Sequence, residues 1–260
     1  MNNFKMTLQY DGTRYLGWTK NEKSVKTVSY KLEQVLTRLL GQPVILHAAV
    51  RTEPGVHASC QVCSFEADLP FSPEVLKKQM NQYLPMDIKV LSLLPVSGRF
   101  RADLGIRAYT YEYNVCTASV YDVFHSRYQA HFFPAPDLAL MKQAASCLIG
   151  KHDFQSFSPV RKKKGTKKEL LYLDFIQNKE QLSFRLTANA FLPSMPQLIV
   201  GTLLEIGQGK RSPDCILSIF EGNETPGNFC PSDGLFLTEI IYVFLTIFLY
   251  LLKCPQSLIL

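Results

Sequence analysis

The chain has 260 residues, 47% hydrophobic and 19% charged, with a formal net charge of +6, which suits one large domain or two modest ones around a substantial core. Its seven cysteines are scattered and odd in number, which excludes the dense disulfide framework of a small secreted domain and points to reduced thiols. The opening MNNFKMTLQY has no long apolar block or small-residue cleavage site, so a cytoplasmic location is the default expectation.

Lys5 to Tyr10 alternates as a strand does, and Asp11-Gly12-Thr13 supplies turn chemistry. Val28, Leu32, Val35, Leu36, Leu39 and Leu40 recur at helical spacing, with Thr27 as N-cap and Gly41 as the stop. Val44 to Val50 and His57 to Phe65 read as strands. Ser72-Pro73 opens a helix through about Tyr83, with a capping serine and a proline in the first turn. Ile88 to Leu94 is a strand, and the strand Tyr109 to Val115 puts Tyr109, Tyr111, Tyr113 and Val115 on one face. A helix starts at Asp137 and ends near Gly150. Strands follow at Leu170 to Ile176 and Leu182 to Asn189, then an apolar helix from Met195 to Ile206, a short helix from Ser212-Pro213 and a strand from Leu235 to Tyr242. The expected fold is α+β in two similar halves, 1–105 and 106–242, each an antiparallel sheet with helices on one face. Residues 243–260 form an apolar extension, and the uncharged run Ile240 to Leu252, 13 residues, falls short of the roughly 20 needed to span a bilayer.

Two local patterns invite a chemical reading. Cys60 and Cys63 have zinc-like spacing, but no second pair accompanies them and residues three apart on a strand face opposite sides, so no metal site is expected. The segment Arg161 to Lys168 holds six basic residues (Arg161, Lys162, Lys163, Lys164, Lys167 and Lys168), and the rest of the chain balances at 22 against 22. Such a cluster can be a solvated face, a localisation tag or a polyanion contact; its place between apolar segments, with Gly165 inside, favours a projecting loop.

The segment Val50-Arg51-Thr52-Glu53-Pro54-Gly55-Val56-His57-Ala58 sets a guanidinium and a carboxylate two residues apart on a tight turn between strands. Arg51 can reach phosphate or a base, and Glu53 can act as acid, base or nucleophile. A hairpin stabilised by a local ion pair is the plainer alternative.

This segment resembles the R-T-D-A-G-V-H-A motif of the TruA family of tRNA pseudouridine synthases. Tyr10-Asp-Gly-Thr-Arg-Tyr-Leu-Gly-Trp18 is similar to the family's opening, Asn81-Gln-Tyr-Leu-Pro85 to its N-x-x-L-P segment and Arg107-Ala-Tyr-Thr-Tyr111 to its R-x-Y-x-Y strand. Gly150-Lys-His-Asp-Phe154, Gly201-Thr-Leu-Leu204 and Gly234 to Tyr242 continue the likeness in order, so that it runs from residue 4 to 242. The resemblance implies the pseudouridine synthase fold, isomerisation of uridine to pseudouridine in the anticodon stem-loop of tRNA, no cofactor or metal, and a homodimer with the RNA lying across both subunits. It also implies Glu53 as the catalytic carboxylate, Arg51 as the base-flipping residue and Tyr109 as the lining of the uracil pocket. The target base must leave its stack, which calls for phosphate anchors, and the basic residues 161–168 would supply them.

The chain departs from the family at several places. Glu53 stands for the aspartate, Pro54 for the following alanine and Gln197 for an arginine near the carboxylate, while Asp103 reverses a charge. Pro193 and Pro196 are expected to break into the first turns of the helix after Phe191. The two resulting readings are a synthase with a glutamate catalyst and an impaired paralogue that binds tRNA or partners another protein.

Overall fold

A computed structural model describes residues 2–19, 25–161 and 163–243. Lys162 and all of the apolar extension except Val243 lie outside the described residues. In chain order the elements are β1 (Asn2–Tyr10), α1 (Val28–Leu40), β2 (His47–Ala48), β3 (His57–Ala67), α2 (Pro73–Tyr83), β4 (Ile88–Val96) and β5 (Ile106–Cys116). They continue with β6 (Ala130–His131), α3 (Leu138–Ser146), β7 (Gly150–Asp153), β8 (Lys167–Asn178), β9 (Gln181–Ala188), α4 (Met195–Gly207), α5 (Cys215–Glu221) and β10 (Leu235–Tyr242).

The strands form one mixed sheet in the order β4-β1-β3-β10-β5-β9-β8-β7, with β2 beside β3 and β6 beside β5. The expected antiparallel pairs are present on each side. What joins the sides is β10, antiparallel to β5 and briefly parallel to β3 through Phe236 opposite His57 and Leu237 opposite Ala58. Buried residues of all five helices share one core with a face of this sheet that carries Phe65, Tyr111, Tyr113 and Phe184. A small second cluster of Val62, Ala102 and Tyr242 lies apart from it.

Helix α1 shows how local sequence and distant backbone combine. Its Val28, Leu32 and Leu36 are fully buried, each leucine contributing roughly 1.5–3 kcal/mol by leaving water. Gly41 ends the helix at φ 67°, as a left-handed C-cap requires. Thr27 holds the N-cap position, but its hydroxyl makes no capping bond. The first amides are satisfied instead by Gly17 and Trp18, whose carbonyls accept from Val28 and Ser29 at 3.2 Å.

The strand expected over Val44 to Val50 shrinks to His47–Ala48. Only those residues are in register with β3, at Ser64 and Cys63, and the Ala49 amide adds one bond to the Val62 carbonyl at 2.9 Å before the chain turns into the loop at 51–56. Helix α4 begins at Met195, so Pro193 precedes it and Pro196 falls in the first turn, where a missing N–H interrupts nothing.

Candidate active site

The loop 51–56 is fixed by the strap Tyr10 to Trp18. Thr52 is buried; its hydroxyl meets the Tyr10 hydroxyl at 2.7 Å, and its carbonyl accepts from the Trp18 amide at 3.0 Å. The Gly55 amide donates to the Tyr15 carbonyl at 3.1 Å, and the Val56 amide closes the turn on the Glu53 carbonyl at 3.2 Å. The strap needs glycine at two points because it runs against loop backbone. A Cβ on Gly12 would sit 2.1 Å from the Val56 oxygen, and one on Gly17, at φ 85°, would sit 2.6 Å from the Thr52 oxygen.

His57 anchors the far end of the loop. The Gly12 amide donates to Nδ1 at 3.0 Å, which places the ring proton on Nε2, and the ring stacks on Phe236 with centroids 4.5 Å apart. Burial pushes the His57 pKa down and outweighs the nearby Asp11 carboxylate, which raises it. With its neighbours clamped, the loop presents two side chains: Arg51 is exposed and Glu53 half-buried.

Glu53 reaches across to α4 and makes no ion pair with Arg51, so the plainer hairpin reading does not hold. The Ser194 amide donates to Oε1 at 2.8 Å and the Ser194 hydroxyl to Oε2 at 3.1 Å. Ser194 caps α4 in the left-handed conformation at φ 59°, ψ 7°. Gln197, one turn in, is 1% exposed, and its Nε2 has no hydrogen-bond partner.

Tyr109 forms the aromatic side of the site. Its hydroxyl accepts from the Phe191 amide at 3.0 Å, and its ring meets those of Phe191 and Tyr111 edge-on at 5.3 and 5.8 Å. Burial raises the Tyr109 pKa and the Glu53 carboxylate adds to the rise, against the hydrogen bond from Phe191. The same two influences, burial first, act on Tyr111. A held carboxylate and an aromatic wall thus meet where the loop reaches α4, with Arg51 exposed two residues before the carboxylate. That combination can act on a flat polar ring by nucleophilic or proton-transfer chemistry.

Register places the basic segment relative to this point. Tyr109 pairs with Ala188, and Ala188 with Leu170, so β8 lies two strands, about 10 Å, from Tyr109. Lys167 and Lys168 begin β8 and pair with Asp153 and His152; Arg161, Lys163 and Lys164 are exposed in the loop that leads to them. Asn189 ties this end of β8 to the segment that enters α4, through bonds of 3.1 and 3.0 Å with Glu169.

Asp103 is taken up in a bidentate pair with Arg101 at 2.8 and 3.1 Å. Cys60 is half-buried and Cys63 buried, and no cluster of three metal-ligating side chains occurs among the described residues. No described helix is long and apolar enough to cross a membrane. Sequence reasoning missed Ser194 and Phe191 as members of the site. Ser194 lies between the two prolines and Phe191 two residues before the first, but nothing in the residue types announces a left-handed serine or a backbone amide aimed at a phenol.

Comparison with known proteins addresses the whole chain. The sequence model of the tRNA pseudouridine synthase family matches residues 144–243. The tRNA pseudouridine synthase A of Thermodesulfovibrio yellowstonii is 36% identical over 255 residues, covering 93% of this chain and 100% of that protein. A tRNA pseudouridine synthase A 2 of Bacillus cereus is 34% identical across 92% of this chain and 99% of its own, and the tRNA pseudouridine synthase A of Bacillus sp. KSM-64 is 32% identical across 93% and 100%. Aligned over more than nine-tenths of its length with relatives that share about a third of its residues, the chain belongs to the tRNA pseudouridine synthase A family.

Proposed function

We propose that the protein isomerises uridine to pseudouridine in the anticodon stem-loop of tRNA, with Glu53 as the catalytic carboxylate. The observation that carries this reading is the Glu53 side chain, held by Ser194 beside the Tyr109 ring. In the reaction the bond from N1 to the ribose C1′ breaks, the uracil turns, and C5 bonds to C1′. The hydrogen of C5 leaves as a proton and N1 gains one. Glu53 adds to the ribose or base, or accepts a proton, and each role needs a carboxylate at a fixed point.

Arg51, exposed and unpaired among the described residues, is suited to enter the space vacated by the flipped base. Tyr109 lines the uracil, while Arg161, Lys162, Lys163, Lys164, Lys167 and Lys168 grip phosphates and position the RNA without reading its sequence. The functional unit is a cytoplasmic homodimer with the RNA across both subunits. Its subunit has two α+β halves, 1–105 and 106–242, that meet at the catalytic loop. An impaired paralogue is not favoured, because the relatives matched over nearly the full chain are named as synthases and a carboxylate stands in the site.

The test is tritium release from 5-tritiated uridine in unmodified tRNA. The native chain should release tritium, and Glu53→Ala should lower the rate by about 10²- to 10⁴-fold. Release that survives Glu53→Ala would sink the assignment. Replacing Lys163 and Lys164 by alanine should flatten the salt dependence of tRNA binding, by a slope of about 0.7–0.9 for each phosphate no longer neutralised.

A further inference from the structure

The two hydrogen bonds on Glu53 come from one residue, and no other described residue bonds its carboxylate. Ser194 N–H takes Oε1 and Ser194 Oγ takes Oε2. The serine occupies the N-cap of α4, yet its side chain bonds none of that helix's own amides. Its backbone is left-handed, a conformation that residues other than glycine adopt only when the surroundings demand it.

The helix end is arranged so that this one residue faces the carboxylate. Met195 N–H is occupied by the Leu192 carbonyl at 3.1 Å, and Pro196 has no N–H to offer. The first turn of α4 contains no acidic residue of its own, so its partial positive charge is answered by an acid from a loop 141 residues earlier. Gln197, although buried on the same turn, leaves its Nε2 unpaired.

We infer that Ser194 is the positioning residue for the reaction, its amide and hydroxyl together fixing the reach and the plane of the Glu53 carboxylate. The inference rests on the reading of Glu53 as the catalytic group. A glutamate stem has one more torsion than an aspartate, so its carboxylate wanders unless both oxygens are held. Two donors on a single residue fix both distance and rotation. Each oxygen keeps a second lone pair for the substrate.

The experiment measures kcat and KM for tritium release in the native chain, Glu53→Ala, Ser194→Gly, Ser194→Ala, Glu53→Asp and the Ser194→Gly/Glu53→Asp double variant. Glycine suits the positive φ and removes the hydroxyl together with the Cβ; alanine removes the hydroxyl alone and keeps the Cβ, so it serves if the glycine chain fails to fold. Both serine variants should lower kcat by about 10- to 100-fold and leave KM for tRNA within about twofold. Glu53→Asp draws the carboxylate away from Ser194 and should also slow the reaction. The double variant should be no slower than Glu53→Asp alone, because the shorter side chain no longer meets Ser194. Native kcat in both serine variants, or losses that multiply in the double variant, would overturn the role of Ser194. Activity that persists in Glu53→Ala would overturn the catalytic reading itself, so the two failures are told apart.

Discussion

The two ends of α4 solve opposite problems. At its C-terminal half the helix is closed against the segment Gly227 to Cys230. Gly201 allows the Asn228 carbonyl to approach, the Thr202 hydroxyl accepts from the Gly227 amide at 2.8 Å, and Glu205 accepts from the Asn228 amide at 2.9 Å. Arg211 completes the set by donating to Glu205 at 2.6 Å. At the N-terminal end the backbone is left-handed, a buried amide nitrogen is unpaired and the one acid bound belongs to another part of the chain. The Gly201 to Glu205 segment therefore carries a hydrogen-bonded network that holds the fold, although the C-cap Gln208 leaves its own Oε1 unpaired, and the N-terminal turn carries a strained one that faces the site.

The largest test of this contrast is Gly201→Ala. A Cβ there would lie 1.8 Å from the Asn228 oxygen, and the clash with backbone should cost about 3 kcal/mol or more, lowering Tm by roughly 10 °C in thermal unfolding. An unchanged Tm would mean that the closed end is looser than its geometry.

Glu205→Gln should cost about 2 kcal/mol, since Arg211 loses the nearer of its two charged partners and keeps only Glu224 at 3.6 Å. It should also change the acid limb of stability. Burial pushes the Glu205 carboxyl up, but the Asn228 amide and the Arg211 guanidinium outweigh it and hold the pKa below the ordinary value of 4.5. A carboxylate depressed on folding adds stability that is complete above the unfolded value and disappears as pH falls through the folded one. Native and variant chains should therefore differ at neutral pH and converge in strong acid when unfolding is followed by denaturant at several pH values.

The smallest effect belongs to the open end. Gln197→Met replaces an unpaired buried amide with an apolar side chain of similar size, so stability should stay level or rise by up to about 1 kcal/mol. A clear fall in Tm would show that the amide has a partner in solution and that the two ends are less different than they look.

Much of the frame is legible in the sequence because it depends on short-range chemistry. Helical spacing locates α1, Ser72-Pro73 marks the start of α2, and Asp137 marks α3, where its carboxylate accepts from Ala139 and Leu140. Arg51, Glu53 and Tyr109 stand out by motif, and Glu53 and Tyr109 lie close enough for the carboxylate to act on the phenol. What escapes is long-range. The Thr27 hydroxyl is idle because the strap supplies its carbonyls, and Val44 to Val50 is in register with β3 at two residues only. The bonds from Ser194 depend on a left-handed backbone that the sequence does not advertise, and the prolines that suggest disruption merely border the helix start.

The place of β10 has a consequence for biosynthesis. It follows every other described strand in the chain, yet it occupies the middle of the sheet between β3 and β5. While the protein is being made, both of those strands present an unpaired edge until residues 235–242 become available. One of those edges begins at His57, which anchors the loop 51–56 against Gly12 and Phe236. The sheet and its candidate site are therefore completed together at a late step, through contacts distant in sequence that form slowly. A nascent chain stalled before Leu235 would carry two raw strand edges and an unanchored loop, a species prone to aggregate and without the means to turn over RNA.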